Sequence, residues 1–315
     1  MINREIGGFF ELELNIGNEY HINAIHLNSA RYCLQYILKA GRYKKIYIPY
    51  YICDSVLKPI ISENVKYEYY HINEKFEPIF NNKLSDEECL LYVNYFGINS
   101  QNVYRVKEKF KNVVIDNTQA FFEMPLDDTD TIYSTRKFFG VSDGGYLYTN
   151  KLLDKKLEEE TSYDRCEYLL KRIDMTANES YELFRKNEEY LNKCGMKKMS
   201  RLTSAILSSV NYNKCKSLRN ENFLYLHENL KKHNELKINL SNISGPIFYP
   251  LLINDDNLRN KLIKNKIYVA TYWNEVKAKI TSEKFEYYLT EKMLPIPIDQ
   301  RYNIEDMKFI IKNLV

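Results

Sequence analysis

The sequence has no surplus of charge of either sign: 45 basic residues stand against 42 acidic ones, a formal net charge of +3. That near balance gives no electrostatic case for nucleic acid or an anionic membrane as a partner. The chain also lacks long hydrophobic runs, and no stretch approaches the roughly 18 apolar residues of a membrane span. Its opening, MINREIGGFFELELN, alternates apolar and charged positions too early to form a signal-peptide core. A cytoplasmic protein is expected. There is no C-x-x-C pair; Cys33, Cys53, Cys89, Cys166, Cys194 and Cys215 are scattered. Such spacing fits reduced thiols serving as small core residues and argues against a disulfide framework or a zinc site. No internal repeat or low-complexity segment is visible. The 28 tyrosines read as a compositional bias spread over core and surface.

What is present is an alternation. KKIYIPYY, VKYEYYHI, ECLLYVNYF, NVVIDN and DTIYST are rich in Ile, Val and Tyr and are bounded by polar or turn residues, so each predicts a strand. Between them, SARYCLQYILKAG places Cys33, Leu34, Ile37 and Leu38 at helical spacing and ends on Gly41. SQNVYRVKEKFKN does the same with Val103, Val106 and Phe110. Alternating strands and helices predict an α/β fold: a mainly parallel sheet flanked by helices, with its ligand beyond the carboxyl ends of the strands. From about Leu152 to His233 the pattern turns helical, beginning with LLDKKLEEETSYDRCEYLLKRI. GPIFYPLLI and KIYVATYW then predict strands around a helical NLRNKLIKN, and LPIPIDQRY leads into a last helix, IEDMKFIIKNL. The expected division is a large α/β domain over 1–220 and a smaller C-terminal α+β domain over 221–315.

Three short stretches carry candidate chemistry. In IYSTRKFFGVSDGG, Lys137 stands between Arg136 and Phe138-Phe139. A lysine kept from bulk water by aromatic neighbours and close to a second cation loses part of its preference for the charged form and becomes an amine nucleophile suited to a Schiff base. A surface lysine beside a turn is the simpler reading of this stretch by itself. In IDNTQAFF, Asp116 ends an apolar strand, with Gln119 three residues on. A carboxylate so placed needs a cationic partner, such as a protonated pyridine nitrogen, and reads equally as an Asp that starts a turn. In LNSARYCL, Ser29 and Ala30 open a helix beside Arg31, and helix-start N–H groups with a cation cradle phosphate; Ser29 as a simple cap is compatible with that. Ser134 adds a hydroxyl at a strand end.

Taken in chain order, the helix start at Ser29, the acid Asp116 and then Ser134 and Lys137 meet the requirements for pyridoxal 5'-phosphate, and here the sequence resembles the DegT/DnrJ/EryC1/StrS family, the sugar aminotransferases among the fold type I, aspartate-aminotransferase-like PLP enzymes. SARYCL, IYIPYYICDSVLKPI, DNTQA and STRKFFGVSDGG correspond to the family's helix-opening turn, its strand and proline, its D-x-x-Q, and its Ser, Schiff-base Lys and Gly-Gly. MSRLTSAI and LPIPIDQRYNIEDM look like its later helical segment and its closing segment. The resemblance implies that Lys137 carries the cofactor and that Asp116 keeps the pyridine nitrogen protonated. Gln119 would lie near the ring, and Ala30, Arg31, Tyr32 and Ser134 would bind the phosphate.

The chain departs from the family at several points. Arg31 stands where the family has a phosphate-contacting Thr, and Cys53 where many members stack an aromatic over the cofactor, leaving Tyr51 or Tyr50 as a substitute face. Only three residues separate Ser134 from Lys137, and Met196 stands where relatives place an Asn that reaches the partner subunit's phosphate. The implied activity is transfer of an amino group, from glutamate by family habit, to a keto group of a nucleotide-linked sugar, in a homodimer. Alternatives are another PLP enzyme, a lyase or an aminotransferase for a small keto compound, or a non-catalytic binding protein of the same fold. A sugar dehydratase fits less well, because that branch replaces with His the lysine that is kept here as Lys137.

Overall fold

The computed structural model describes residues 6–241 and 243–314. The first five residues of the opening segment lie outside the described residues. In chain order the elements are β1 (Ile25–Leu27), α1 (Ala30–Ala40), β2 (Lys45–Pro49), α2 (Leu57–Ser62), β3 (Lys66–Ile72), β4 (Pro78–Ile79), β5 (Glu88–Val93) and α3 (Ser100–Lys109). Then come β6 (Val113–Asp116), β7 (Asp130–Ser134), β8 (Gly145–Tyr148), α4 (Glu167–Asp174), α5 (Ala177–Leu191), α6 (Arg201–Ser208) and α7 (Tyr212–Leu230). The last part holds β9 (Tyr249–Leu252), α8 (Leu258–Lys264), α9 (Phe285–Lys292), β10 (Met293–Ile296) and α10 (Ile304–Leu314).

All five strands expected from the first half form, and they make the centre of an eight-stranded sheet in the order β1-β8-β7-β6-β5-β2-β3-β4. From β7 to β3 the pairs are parallel, while β8, β1 and β4 join antiparallel at the edges. A strand buried on both faces needs an unbroken apolar run, and CLLYV of β5 is buried throughout. The apolar stripe of α1 (Cys33, Leu34, Ile37 and Leu38) is buried in the same core, each large side chain contributing about 1.5–3 kcal/mol.

A second core gathers Phe223, Leu226 and Leu230 of α7 with Tyr249, Leu251, Leu294, Ile296 and Met307 around the antiparallel pair β9-β10. Residue 220 lies inside α7: its first residue, Tyr212, belongs to an aromatic cluster under the large sheet, and its second half to the second core.

Two expected elements take other forms. LLDKKLEEET is not helical, because it runs beside Lys198: Glu160 N–H donates to Lys198 O (3.0 Å) and Lys198 N–H to Glu158 O (2.8 Å). KIYVATYW forms no strand; the carbonyls of Val269 and Ala270 accept from the Arg259 guanidinium (3.1 and 2.6 Å), so a side chain satisfies backbone that a ladder would otherwise need to pair.

Candidate active site

The strands β5, β6 and β7 are parallel, so their carboxyl ends Val93, Asp116 and Ser134 come to one edge of the sheet. The start of α1 reaches the same edge through the Gly144-Gly145 turn. Gly144 has φ +117°, which L side chains rarely adopt, and its N–H donates to Asn28 O (2.8 Å). A Cβ on Gly145 would lie 2.6 Å from Ala30 N and from Ser29 C, so only glycine lets β8 pass this close to the helix start.

These pieces enclose a cavity of about 530 Å³. Of the residues singled out from the sequence, Lys137, Asp116, Gln119, Ser134, Ala30, Arg31 and Cys53 line it, and so does Ser29. Tyr32 and Tyr51 are not on its wall. The Tyr32 hydroxyl donates to Leu191 O (2.8 Å). Tyr51 is fully buried, its carbonyl accepting from Tyr95 (2.9 Å) and its ring set edge-on to Trp273, with centroids 4.9 Å apart. Tyr50 is stacked between Tyr69 and His71.

The aromatics that do line the cavity are Phe184, Tyr272 and Trp273. Sequence reasoning passed over them, since Tyr272 and Trp273 lie in the segment expected to be a strand. The one available signal was that the chain's sole tryptophan lies there. Thr118, the residue between Asn117 and Gln119, also lines the cavity.

At one end the polar groups are poorly satisfied. Ser29 precedes α1 in extended conformation without a side-chain cap bond, and its Oγ is buried without a partner. Arg31 Nη1 and Arg136 Nε are likewise buried and partnerless. Desolvation pushes the Arg31 guanidinium down from its usual pKa and that of Arg136 down to about 10. Arg136 forms an ion pair with Glu188 of α5. Buried polar groups are ordinarily paired, so three partnerless donors lining one cavity beside a helix start suit an anion, although Glu188 Oε1 is buried without a hydrogen-bond partner there too.

At the other end Asp116 is 5% exposed, and its Oδ1 accepts from Thr118 N–H (2.9 Å). Desolvation raises its pKa, partly offset by the charge of Lys137 and by the Thr118 bonds. The Lys137 ammonium donates to Thr118 Oγ1 (3.3 Å). Gln119 is held by Phe96 N–H, which donates to its Oε1 (2.8 Å).

The phenylalanines after Lys137 do not shield it. Phe138 and Phe139 turn into the aromatic cluster with Phe121, Phe122 and Tyr133, while Lys137 stays on the exposed side of the segment. What holds this segment is the C-terminal part of the chain: Gln300 Nε2 donates to Phe138 O (2.8 Å), and the buried Arg219 guanidinium lies 4.6 Å from the Phe138 ring centroid. LPIPIDQRY thus fixes the backbone beside Lys137.

No family model matches the chain, and no curated protein matches it. Solved structures do. The aminotransferase TlmJ from Streptoalloteichus hindustanus is similar over 92% of this chain and 84% of its own, with a TM-score of 0.65 at 13% identity. Spr1654 from Streptococcus pneumoniae in its PLP-form is similar over 92% and 86%, with a TM-score of 0.62 at 14% identity. A DegT DnrJ EryC1 StrS aminotransferase from Brucella abortus is similar over 92% and 84%, with a TM-score of 0.63 at 13% identity. At such identities the likeness is one of fold: this chain has the architecture of the DegT/DnrJ/EryC1/StrS sugar aminotransferases, as its motifs imply.

Proposed function

We propose that the chain is a PLP-dependent aminotransferase that moves an amino group, with glutamate as donor, to the keto carbon of a nucleotide-linked sugar, working as a cytoplasmic homodimer. One observation carries the reading. A single cavity has partnerless Ser29 Oγ, Arg31 Nη1 and Arg136 Nε at one end and a buried carboxylate, Asp116, beside an amine, Lys137, at the other. Those are the groups that pyridoxal phosphate requires, and the orphaned donors fit its phosphate. The names of the similar structures supply the sugar and the amino transfer.

In this reading Ser29, Arg31, Arg136 and Ser134 would hold the phosphate, and Asp116 would serve the ring nitrogen as its counter-charge. Bound there, the cofactor supplies an electron sink. Lys137 would hold it and would move the proton at Nζ. Thr118 orients that nitrogen through its hydroxyl. Tyr272 and Trp273 form an aromatic part of the cavity wall. Among the described residues no helix is long and apolar enough to cross a membrane.

The test is spectroscopic. The purified protein should be yellow, and borohydride should fix the cofactor's mass on the peptide that contains Lys137. Glutamate should bleach the colour. A colourless protein that takes up no pyridoxal phosphate would remove the enzyme reading, and a yellow one that no amino donor bleaches would remove amino transfer.

A further inference from the structure

We propose that Glu188 is a selectivity gate at the anion end of the cavity: its carboxylate neutralises Arg136 when no anion is present, and an incoming phosphate must take Arg136 from it. The inference goes beyond the cofactor reading and rests on it only for the identity of the natural anion.

Charge defines the gate. The cavity wall carries three cations, Arg31, Arg136 and Lys137, and two anions, Asp116 and Glu188. Asp116 belongs to the Lys137 end, where that lysine's charge acts on it. Glu188 is therefore the anion of the arginine end, and it is paired with Arg136 there. A phosphate placed on Ser29, Arg31 and Arg136 would sit against a carboxylate of its own sign, which opposes its binding. The Glu188 side chain is 32% exposed although its Oε1 is buried, whereas Arg136 is 13% exposed.

The helix that carries the gate is lightly seated. Phe184, Glu188 and Asn192 recur at intervals of four, which puts them on one face of the α5 region, and all three line the cavity. The preceding helix α4 buries none of its residues and α5 only Ser180, Asn187 and Leu191. Polar ties hold it: Asn187 Nδ2 donates to Ser142 O (2.8 Å), the Tyr32 hydroxyl to Leu191 O (2.8 Å), and Arg136 pairs with Glu188. The Tyr32 hydroxyl anchors the end of the helix that brings Glu188 to the cradle.

The test uses inorganic phosphate as the probe, on full-length protein dialysed against hydroxylamine, with binding read by calorimetry. Glu188→Gln keeps the side chain's shape and removes its charge. It should bind phosphate about tenfold more tightly than the wild type, the equivalent of one unfavourable charge contact of about 1.4 kcal/mol. Glu188→Ala should do the same, and Glu189→Gln, whose carboxylate pairs with Arg185 on the exposed face, should bind as the wild type does. Unchanged or weaker phosphate binding in both Glu188 variants would overturn the proposal, as would no binding by any of the proteins. The cofactor reading fails separately. A protein that never turns yellow but shows the gain in both variants keeps the gate and loses the cofactor; a yellow protein without the gain keeps the cofactor and loses the gate.

Discussion

Replacing Asp116 by Asn should stabilise the cofactor-free protein and weaken its hold on pyridoxal phosphate. The carboxylate is 5% exposed, with one backbone donor, Thr118 N–H, and the charge of Lys137 to offset its burial. Incompletely compensated burial of a polar group costs about 1–3 kcal/mol in proteins. Asparagine can keep the Thr118 bond through its own Oδ1 and sheds the charge, so a gain of about 1–2 kcal/mol is expected at pH 7. For a chain of this size that is roughly 1.5–3 °C in Tm.

The pH dependence fixes the cause. Burial raises the folded-state pKa of Asp116 above its unfolded value. Its protonated form therefore favours folding at low pH, and that contribution is lost as pH rises through the folded-state pKa. The advantage of Asp116→Asn should thus be full above that pKa and vanish below about pH 4, where the wild-type group is protonated in both states. Calorimetric melts of both cofactor-free proteins across pH check this. With cofactor the sign reverses: losing a charge-assisted bond should weaken binding roughly tenfold to a hundredfold, read by absorbance titration. A cofactor-free variant less stable than the wild type at pH 7, or one that binds pyridoxal phosphate as tightly, would refute the assignment.

Ser29→Ala removes a buried hydroxyl with no partner, so stability in urea should rise, by up to about 1 kcal/mol, while phosphate affinity, read by calorimetry, should fall roughly three- to tenfold. Gly145→Ala puts a Cβ 2.6 Å from the backbone of Ser29 and Ala30. It should cost about 2–4 kcal/mol in denaturant unfolding. His21 is fully buried, with Nε2 bonded to Phe121 O, and its pKa is lowered to about 4, chiefly by burial. The unfolded chain takes up that proton first, so roughly 3 kcal/mol of stability should be lost as pH falls from about 6.5 to 4; His21→Gln should flatten this part of the acid-unfolding curve.

The sheet was legible because its central strands are buried on both faces. CLLYV of β5 and VVI of β6 must be apolar throughout, and polar turns mark where each stops. The segments read otherwise are those whose partners are distant in sequence. LLDKKLEEET has the composition of a helix and becomes extended because Lys198 is its neighbour. KIYVATYW has the composition of a strand and finds a guanidinium, Arg259, in place of a ladder. Local propensity cannot report a partner supplied by folding.

The same distinction separates the legible and hidden parts of the site. Asp116, Ser134 and Lys137 could be read because parallel strands bring their own carboxyl ends together, a consequence of topology alone. Tyr272, Trp273 and Glu188 come from segments that the later packing folds back over that edge, and no spacing announces them. The setting of Lys137 shows the difference. Phe138 and Phe139 suggest an amine shielded by aromatic rings, yet they are buried on the far side. The lysine is defined by Thr118 on its nitrogen, by the Asp116 carboxylate nearby, and by Gln300 and Arg219 gripping the next residue. In the proposed function its reactivity would therefore depend on position relative to the bound cofactor more than on burial. Gln300→Ala, which removes the bond to Phe138 O, should therefore slow the bleaching of the yellow protein by glutamate while leaving the borohydride-fixed yield on the Lys137 peptide unchanged; bleaching at the wild-type rate would refute the clamp.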